Sequence, residues 1–234
     1  MSKLSVIIPS YQHADSLRIC LCSVLAQTRK ADEIIVVNDG STDHTDEVAH
    51  QYKDSIFYIK QENQGEQAAR MRGFNESTGD LVLFLDSDVV MIPEMLEKME
   101  GALQSNPDAG YAYSSFIFGP KKFKSFLFDS ERLKKINYIH TSALIRRECF
   151  PGFDPEIKKF QDWDIWLTLL ERGKRGVFID EFLFNAKTDS KRGGISQWMP
   201  SFMYKLPWGL IGWKPKAIQK YEKGLVAIKA KHNL

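Results

Sequence analysis

Four short apolar runs, at residues 4–9, 33–38, 56–60 and 81–85, alternate with segments of helical periodicity across the first part of the chain. Runs of this length, bounded by turn residues, read as buried strands. Between the first two, residues 14–27 place Leu17, Leu21, Val24 and Leu25 on one helical face. The second run ends in Asp39-Gly40-Ser41-Thr42-Asp43, where glycine permits a turn and Ser41, Thr42 or Asp43 can cap a helix reaching Tyr52. A third helix is expected over residues 65–76. A strand-helix alternation of this kind predicts an α/β fold: a Rossmann-like, mostly parallel central sheet with right-handed crossovers, flanked by helices.

Composition narrows the function classes. With 234 residues and 43% hydrophobic content, the chain can bury one substantial core. Its 32 basic and 30 acidic residues nearly cancel, which excludes a general nucleic-acid binder. Strand one is followed by neither Gly-x-Gly-x-x-Gly nor a Walker A loop, so dinucleotide and P-loop chemistries are set aside. Cys20 and Cys22 lie in an apolar helical stretch without a second pair, so reduced core thiols are expected instead of zinc or a disulfide. The sequence offers no signal-peptide pattern and no run of membrane-span length, and a cytoplasmic setting is expected.

Chemistry concentrates at the carboxyl ends of the expected strands, where α/β sheets place their ligand crevice. Asp86-Ser87-Asp88 closes the fourth run, and alternation along a strand would turn both carboxylates to one side. Two such groups repel each other beside apolar surroundings, which makes a divalent cation their natural partner. Strand one delivers Pro9-Ser10-Tyr11 and strand two Asn38-Asp39. An aromatic face and a carboxylate on one rim suit a nucleobase. Arg70 and Arg72 lie on the third helix, with Arg70 the candidate to enter the crevice.

Together these segments resemble the inverting family 2 glycosyltransferases, which have the GT-A fold. The resemblance is carried by Ser5-Val6-Ile7-Ile8-Pro9-Ser10-Tyr11, Glu33-Ile34-Ile35-Val36-Val37-Asn38-Asp39-Gly40-Ser41-Thr42-Asp43, Asn63-Gln64-Gly65 with Ala69-Arg70, and Phe84-Leu85-Asp86-Ser87-Asp88. It covers the first hundred or so residues well and continues more weakly to about residue 180. It implies transfer of a hexosyl or N-acetylhexosaminyl unit from a nucleoside-diphosphate sugar, UDP-linked in first place, to a glycan or lipid-linked hydroxyl acceptor. Mn²⁺ or Mg²⁺ would assist. Pro9, Tyr11 and Asp39 then match the base and ribose segment, and Arg70 a nucleotide-contacting arginine. Asp86 matches the acidic residue near the ribose and Asp88 the one reaching the metal.

Inversion needs a base opposite the leaving group. Phe160-Gln161-Asp162-Trp163-Asp164 opens a helix expected from residue 161 to 173, and it is similar to the family's Glu-Asp motif, with Gln161 in place of the glutamate. Asp162 is the expected base, although a first-turn carboxylate also favours a helix dipole. Asp164, two positions on, projects about 200° away. His140, Thr141 and Ser142 are placed to line an acceptor pocket. Where relatives carry a histidine near the diphosphate, this chain has Lys187-Thr188-Asp189-Ser190-Lys191-Arg192, so Lys191 or Arg192 is expected to contact phosphate. Lys121, Lys122 and Lys124 read as a solvated loop.

The expected organisation is a catalytic domain over residues 1–190, split into a nucleotide half (1–100) and an acceptor half (101–190), with an extension over 191–234. Aromatic residues and lysines at 197–216 suit peripheral contact with the inner face of a membrane, or a cover packed over the acceptor side of the domain, or a dimer contact. A final helix is expected over 216–231, burying Ile218, Tyr221, Leu225 and Ile228. Two alternatives stand beside this reading. A sugar-phosphate nucleotidyltransferase would place a glycine-rich signature where this chain has Ser10-Tyr11-Gln12-His13, and a catalytically silent nucleotide-sugar-binding module would keep the scaffold without turnover.

Overall fold

The computed structural model describes residues 2–186, Trp208 and residues 214–234. Its elements are β1 (Leu4–Ser10), α1 (Ala14–Leu25), β2 (Glu33–Asp39), α2 (Thr45–Gln51), β3 (Phe57–Gln61), α3 (Glu66–Glu76), β4 (Leu81–Phe84) and β5 (Val89–Met91). They continue with α4 (Met95–Ser105), β6 (Ala109–Phe118), β7 (Lys121–Phe123), α5 (Ser130–Leu133), β8 (Leu144–Arg146), α6 (Gln161–Glu171), β9 (Arg175–Ala186) and α7 (Lys216–His232).

One sheet runs through the molecule in the order β3-β2-β1-β4-β8-β6-β9-β5, with β7 paired to β6. β1 to β4 form a parallel set in which β1, β2 and β4 are apolar and buried on both faces, while β3 is the partly exposed edge. Beyond β4 the sheet becomes mixed: β8 is antiparallel to β4 and β6, and β6 pairs parallel with β9. Chain order reverses between β1 and β4, the topological switch point where such sheets open a crevice.

Local chemistry widens that crevice. The β1–β4 ladder ends at Ile7 opposite Phe84, and the Ile7 carbonyl accepts from Leu85 N–H at 2.9 Å. Pro9, two residues on, faces the same side, past the ladder's end, so its missing N–H leaves no ladder bond unmade. Helix α3 lies tight on the other face because Gly73 has no side chain; a Cβ there would sit 2.4 Å from the Ile7 methyl.

The sheet separates two apolar clusters. One holds Leu17, Cys20, Leu21 and Val24 of α1 with Val6, Leu83 and Met99. The other holds Phe84, Tyr111, Trp163, Trp166 and Ile228, so α7 packs on the domain. Each fully buried aliphatic or aromatic side chain contributes roughly 1.5–3 kcal/mol.

Three expectations need correction. Cys22 is an exposed thiol beside the Tyr52 hydroxyl at 3.3 Å, because the buried stripe of α1 runs through Cys20. Lys121 and Lys122 belong to β7, since backbone pairing with Phe118 and Ile117 satisfies the hairpin while the lysines stay solvated. The fourth strand ends at Phe84, so Asp86 and Asp88 ride on a turn closed by Val89 N–H to the Asp86 carbonyl, 3.0 Å.

Candidate functional site

The nucleotide-side rim is built by loops that hold one another. After β1, Gln12 takes φ +59°, and its backbone N–H donates to Ser41 Oγ at 3.0 Å. Ala14 N–H donates to Asp43 Oδ2, while Asp43 Oδ1 accepts from Thr45 N–H at 3.1 Å, so Asp43 ties the two loops from the position before the N-cap, which is His44 and not one of the expected Ser41, Thr42 or Asp43. Tyr11 is left 47% exposed at the tip of β1. Asp39 is buried at the end of β2, where Oδ1 accepts from Gln61 Nε2 (2.8 Å) and Gln64 N–H (2.9 Å), and Oδ2 from Gly65 N–H (2.8 Å). Asp39 therefore anchors the loop that leads into α3. Both lone-pair sites of Oδ1 are used by these bonds, and Oδ2 keeps one for a further donor.

Arg70 sits at the centre of the crevice. It is buried, its guanidinium lies 5.4 Å from the Phe153 ring centroid, and Nη2 donates to both Glu66 Oε1 and Asp86 Oδ1 at 2.5 Å. Burial works against the charge on Arg70, but Glu66, Asp86 and, across the crevice, Asp162 raise its pKa. Burial likewise pushes against Asp86, and the Arg70 guanidinium overrides it, holding Asp86 below the usual carboxylate range. Glu66 responds in the opposite direction. Burial first, then the negative charge of Asp86 and Asp88, push it up to about 7 although Arg70 pulls the other way.

Asp162 enters from the opposite wall in the first turn of α6. Its Oδ1 accepts from Trp163 N–H at 2.9 Å, and the Asn137 side chain hydrogen-bonds the carboxylate. Burial nonetheless raises its pKa. His140 shares this neighbourhood: its ring lies 4.8 Å from Phe116 and 5.0 Å from Phe184, and Nδ1 accepts from Ser142 N–H at 3.0 Å. A neutral ring held that way carries its proton on Nε2, and burial lowers the His140 pKa. Two indoles place this wall: Trp163 Nε1 donates to the Leu133 carbonyl (2.7 Å) and Trp166 Nε1 to that of Ile139 (3.0 Å), pinning residues 133–139 on α6.

The structure thus brings Asp86, Asp88, Arg70 and Asp162 into one electrostatic neighbourhood, with Pro9, Tyr11 and Asp39 on the adjoining strand ends. Glu66 was not singled out by sequence reasoning, although its place four residues before Arg70 is the usual helical ion-pair spacing. Asn137 had no local signal. Lys191, Arg192 and most of the 197–216 segment lie outside the described residues; Trp208 within it is buried. Asp164 points away from the crevice, toward α7.

Among the described residues no group of three His, Cys, Asp or Glu side chains forms a complete metal cage. An oxygen-liganding cation that keeps its waters needs only one or two carboxylates plus substrate phosphates. Asp86 and Asp88 on one turn offer carboxylate oxygens, the donor type that Mg²⁺ or Mn²⁺ takes. Buried Ser10 Oγ and Arg70 Nε have no hydrogen-bond partner among the described residues, leaving polar capacity within the crevice. No helix among the described residues is long and apolar enough to cross a membrane.

The glycosyl transferase family 2 model matches residues 5–153, more than half of the chain. The chain is 40% identical over 121 residues to the uncharacterized glycosyltransferase YibD of Escherichia coli, covering 50% of this chain and 35% of that protein. It spans about a third or less of the length of the first curated relatives it matches. Among solved structures, S. aureus TarS 1–349 in complex with UDP-GlcNAc superposes with a TM-score of 0.69 at 18% identity, covering 99% of this chain and 71% of that one. The mannosyltransferase PcManGT from Pyrobaculum calidifontis, in complex with GDP-Man and Mn²⁺, superposes with a TM-score of 0.66 at 16% identity, covering 99% and 72%. The sheet with its switch-point crevice is that of the GT-A glycosyltransferases, and the chain belongs to glycosyltransferase family 2.

Proposed function

We propose that this chain is the catalytic domain of an inverting glycosyltransferase. It moves a hexosyl or N-acetylhexosaminyl unit from a nucleoside-diphosphate sugar, UDP-linked by preference, to a hydroxyl of a glycan or lipid-linked acceptor. One observation carries the reading: Arg70 binds Asp86 on the nucleotide wall while sharing its field with Asp162 on the facing wall. Two walls of opposite function across one arginine suit a donor and an acceptor meeting between them.

The roles follow from position and chemistry. Tyr11 offers an exposed ring face for the base beside Pro9, and Asp39 accepts from an imide N–H or a ribose hydroxyl. Asp86, oriented by Arg70, accepts from the ribose. Asp88, with the donor's phosphates, holds Mn²⁺ or Mg²⁺. When bound, that cation neutralises the charge that develops on the departing diphosphate. Lys191 or Arg192 adds positive charge at the phosphates. Asp162 takes the proton of the acceptor hydroxyl, and its raised pKa brings it closer to working pH than an ordinary aspartate. His140 offers its Nε2 proton to a hydroxyl in the same space.

The protein is read as cytoplasmic, with peripheral contact at the inner membrane face through residues 197–216. UDP-GlcNAc in TarS and GDP-Man with Mn²⁺ in PcManGT support a nucleotide-sugar donor and a divalent cation. Calorimetric titration of UDP, dTDP and GDP, each with Mn²⁺ and with EDTA, tests the donor site. Mn²⁺-dependent binding of UDP is expected. Absence of binding by all three would overturn the donor site, whereas binding without transfer would move the chain to a silent nucleotide-sugar-binding module.

A further inference from the structure

We infer that helix α7 is a brace that sets the direction of the Asp162 carboxylate, with His232 as its positioning residue; this rests on reading Asp162 as the base. Asp162 follows a backbone that does not hold itself. Phe160, the residue before α6, takes φ +65°, a left-handed conformation that bulky side chains avoid. Such a turn persists where its surroundings over-determine it. Those surroundings are Trp163 of α6, edge-on to the Phe160 ring at 5.8 Å, and α7. The Tyr221 ring meets Phe160 edge-on with centroids 5.2 Å apart, and Gly224 lets the helix come so close that a Cβ would lie 2.9 Å from Lys159 Cβ and 3.3 Å from the Phe160 ring.

A second set of contacts fixes the rotation of α6. Asp164 is buried, and its Oδ1 lies 2.8 Å from His232 Nε2; Lys231 Nζ donates to Asp164 Oδ2 at 2.9 Å. His232 Nδ1 lies 2.7 Å from Glu171 Oε1 at the other end of α6. Each ring nitrogen thus faces a carboxylate of α6. Asp162 and Asp164 are separated by about 200° around the helix. Locking Asp164 to α7 therefore aims Asp162 at the crevice, and Trp163 N–H keeps that carboxylate on the helix's own first turn.

The brace also reaches the nucleotide wall. Lys231 Nζ donates to Asp154 Oδ2 at 2.7 Å, and Gln67 Nε2 of α3 donates to the Asp154 and Ile157 carbonyls at 3.1 and 2.9 Å. One loop is held by α7 on one side and by the helix carrying Arg70 on the other. Base and nucleotide arginine are thereby referenced to the same segment.

The test uses the full chain with His232→Phe, Tyr221→Leu and Asp162→Asn. Its readouts are UDP release from UDP-GlcNAc and UDP-glucose with water as acceptor, calorimetric UDP affinity with Mn²⁺, and amide hydrogen exchange of residues 158–164. His232→Phe is expected to lower kcat about 10- to 100-fold, to leave KM and UDP affinity within about two-fold, and to speed exchange at 158–164 but not at 36–41. Wild-type kcat together with wild-type exchange in both His232→Phe and Tyr221→Leu overturns the brace. If His232→Phe does not fold, Tyr221→Leu carries the same expectation and the same refutation. Full turnover by Asp162→Asn overturns the base reading, and the positioning role with it, even where exchange shows that α7 holds the turn. Should wild type release no UDP, exchange decides: faster exchange at 158–164 supports the brace, and unchanged exchange refutes it.

Discussion

The two walls of the crevice handle charge in opposite ways. On the nucleotide wall, Asp39 receives three hydrogen bonds from its own chain, and Asp86 is met by a buried guanidinium that keeps it below the ordinary carboxylate range. On the facing wall, burial outweighs what Asn137, His140 and Trp163 offer Asp162, and its pKa rises. A group whose partners are already in place suits binding, because its geometry costs nothing further when a ligand arrives. A carboxylate kept short of partners suits proton transfer, because it gains by taking a proton. Position in the fold enforces the contrast: the loop into α3 supplies Gln64 and Gly65 N–H to Asp39 and α3 supplies Arg70 to Asp86, whereas the start of α6 supplies Asp162 with Trp163 N–H.

The contrast can be broken from either side. The largest effect is expected from Asp162→Asn, which should lower transfer by about 10³-fold while leaving UDP affinity near wild type; parallel initial-rate and calorimetric measurements check both. A variant that lost nucleotide affinity instead would place Asp162 on the binding wall. Next, Arg70→Met leaves the half-buried Glu66 and Asp86 without their shared cation, and a loss of about 1.5–3 kcal/mol in urea unfolding is expected. An unchanged midpoint would show that the nucleotide wall does not depend on that pair. Third, Asp88→Asn should weaken Mn²⁺-dependent UDP binding by about 10- to 100-fold, with binding in EDTA unaltered. Equal affinities in Mn²⁺ would remove Asp88 from the metal.

The smallest effect sharpens the comparison through pH. Glu66 is raised from 4.5 to about 7. Between those values the folded protein keeps a proton that the unfolded chain has released, so this group's contribution to stability is full below 4.5 and declines as pH rises toward 7. Urea midpoints should fall across that window in wild type and fall less in Glu66→Gln. A steeper fall in the variant would contradict the direction assigned to Glu66. The acid limb of kcat should likewise lie above that of an ordinary aspartate, because burial raises Asp162; a limb at or below the ordinary value would mean another group limits the rate.

Much of the nucleotide wall was legible in the sequence. The strands at 4–10 and 33–39 are each one continuous apolar run, and their turn residues announce where they stop. The helix expected from residue 161 begins there, because Trp163, Trp166 and Leu167 carry a clear helical period. Half of the sheet was not legible. β6 and β9 pair across some sixty residues with bulges in the register, and their mixed aromatic and polar patterns do not declare a strand. The alternation argument for Asp86 and Asp88 also failed in detail, because the strand had already ended at Phe84; a turn brings the two carboxylates together.

By itself, the sequence determined the alternating architecture, the switch-point crevice and the residue types on the strand ends. These depend on periodicity and turn chemistry among near neighbours. Tertiary structure alone decided that Glu66 competes with Asp86 for Arg70, that His140 shares the space of Asp162, and that Asp164 turns its back on the crevice to meet His232. Apart from the one-turn step from Glu66 to Arg70, those relations join residues 16 to 68 positions apart. Burial and charge, which set each group's chemistry, exist only once the chain has closed around it.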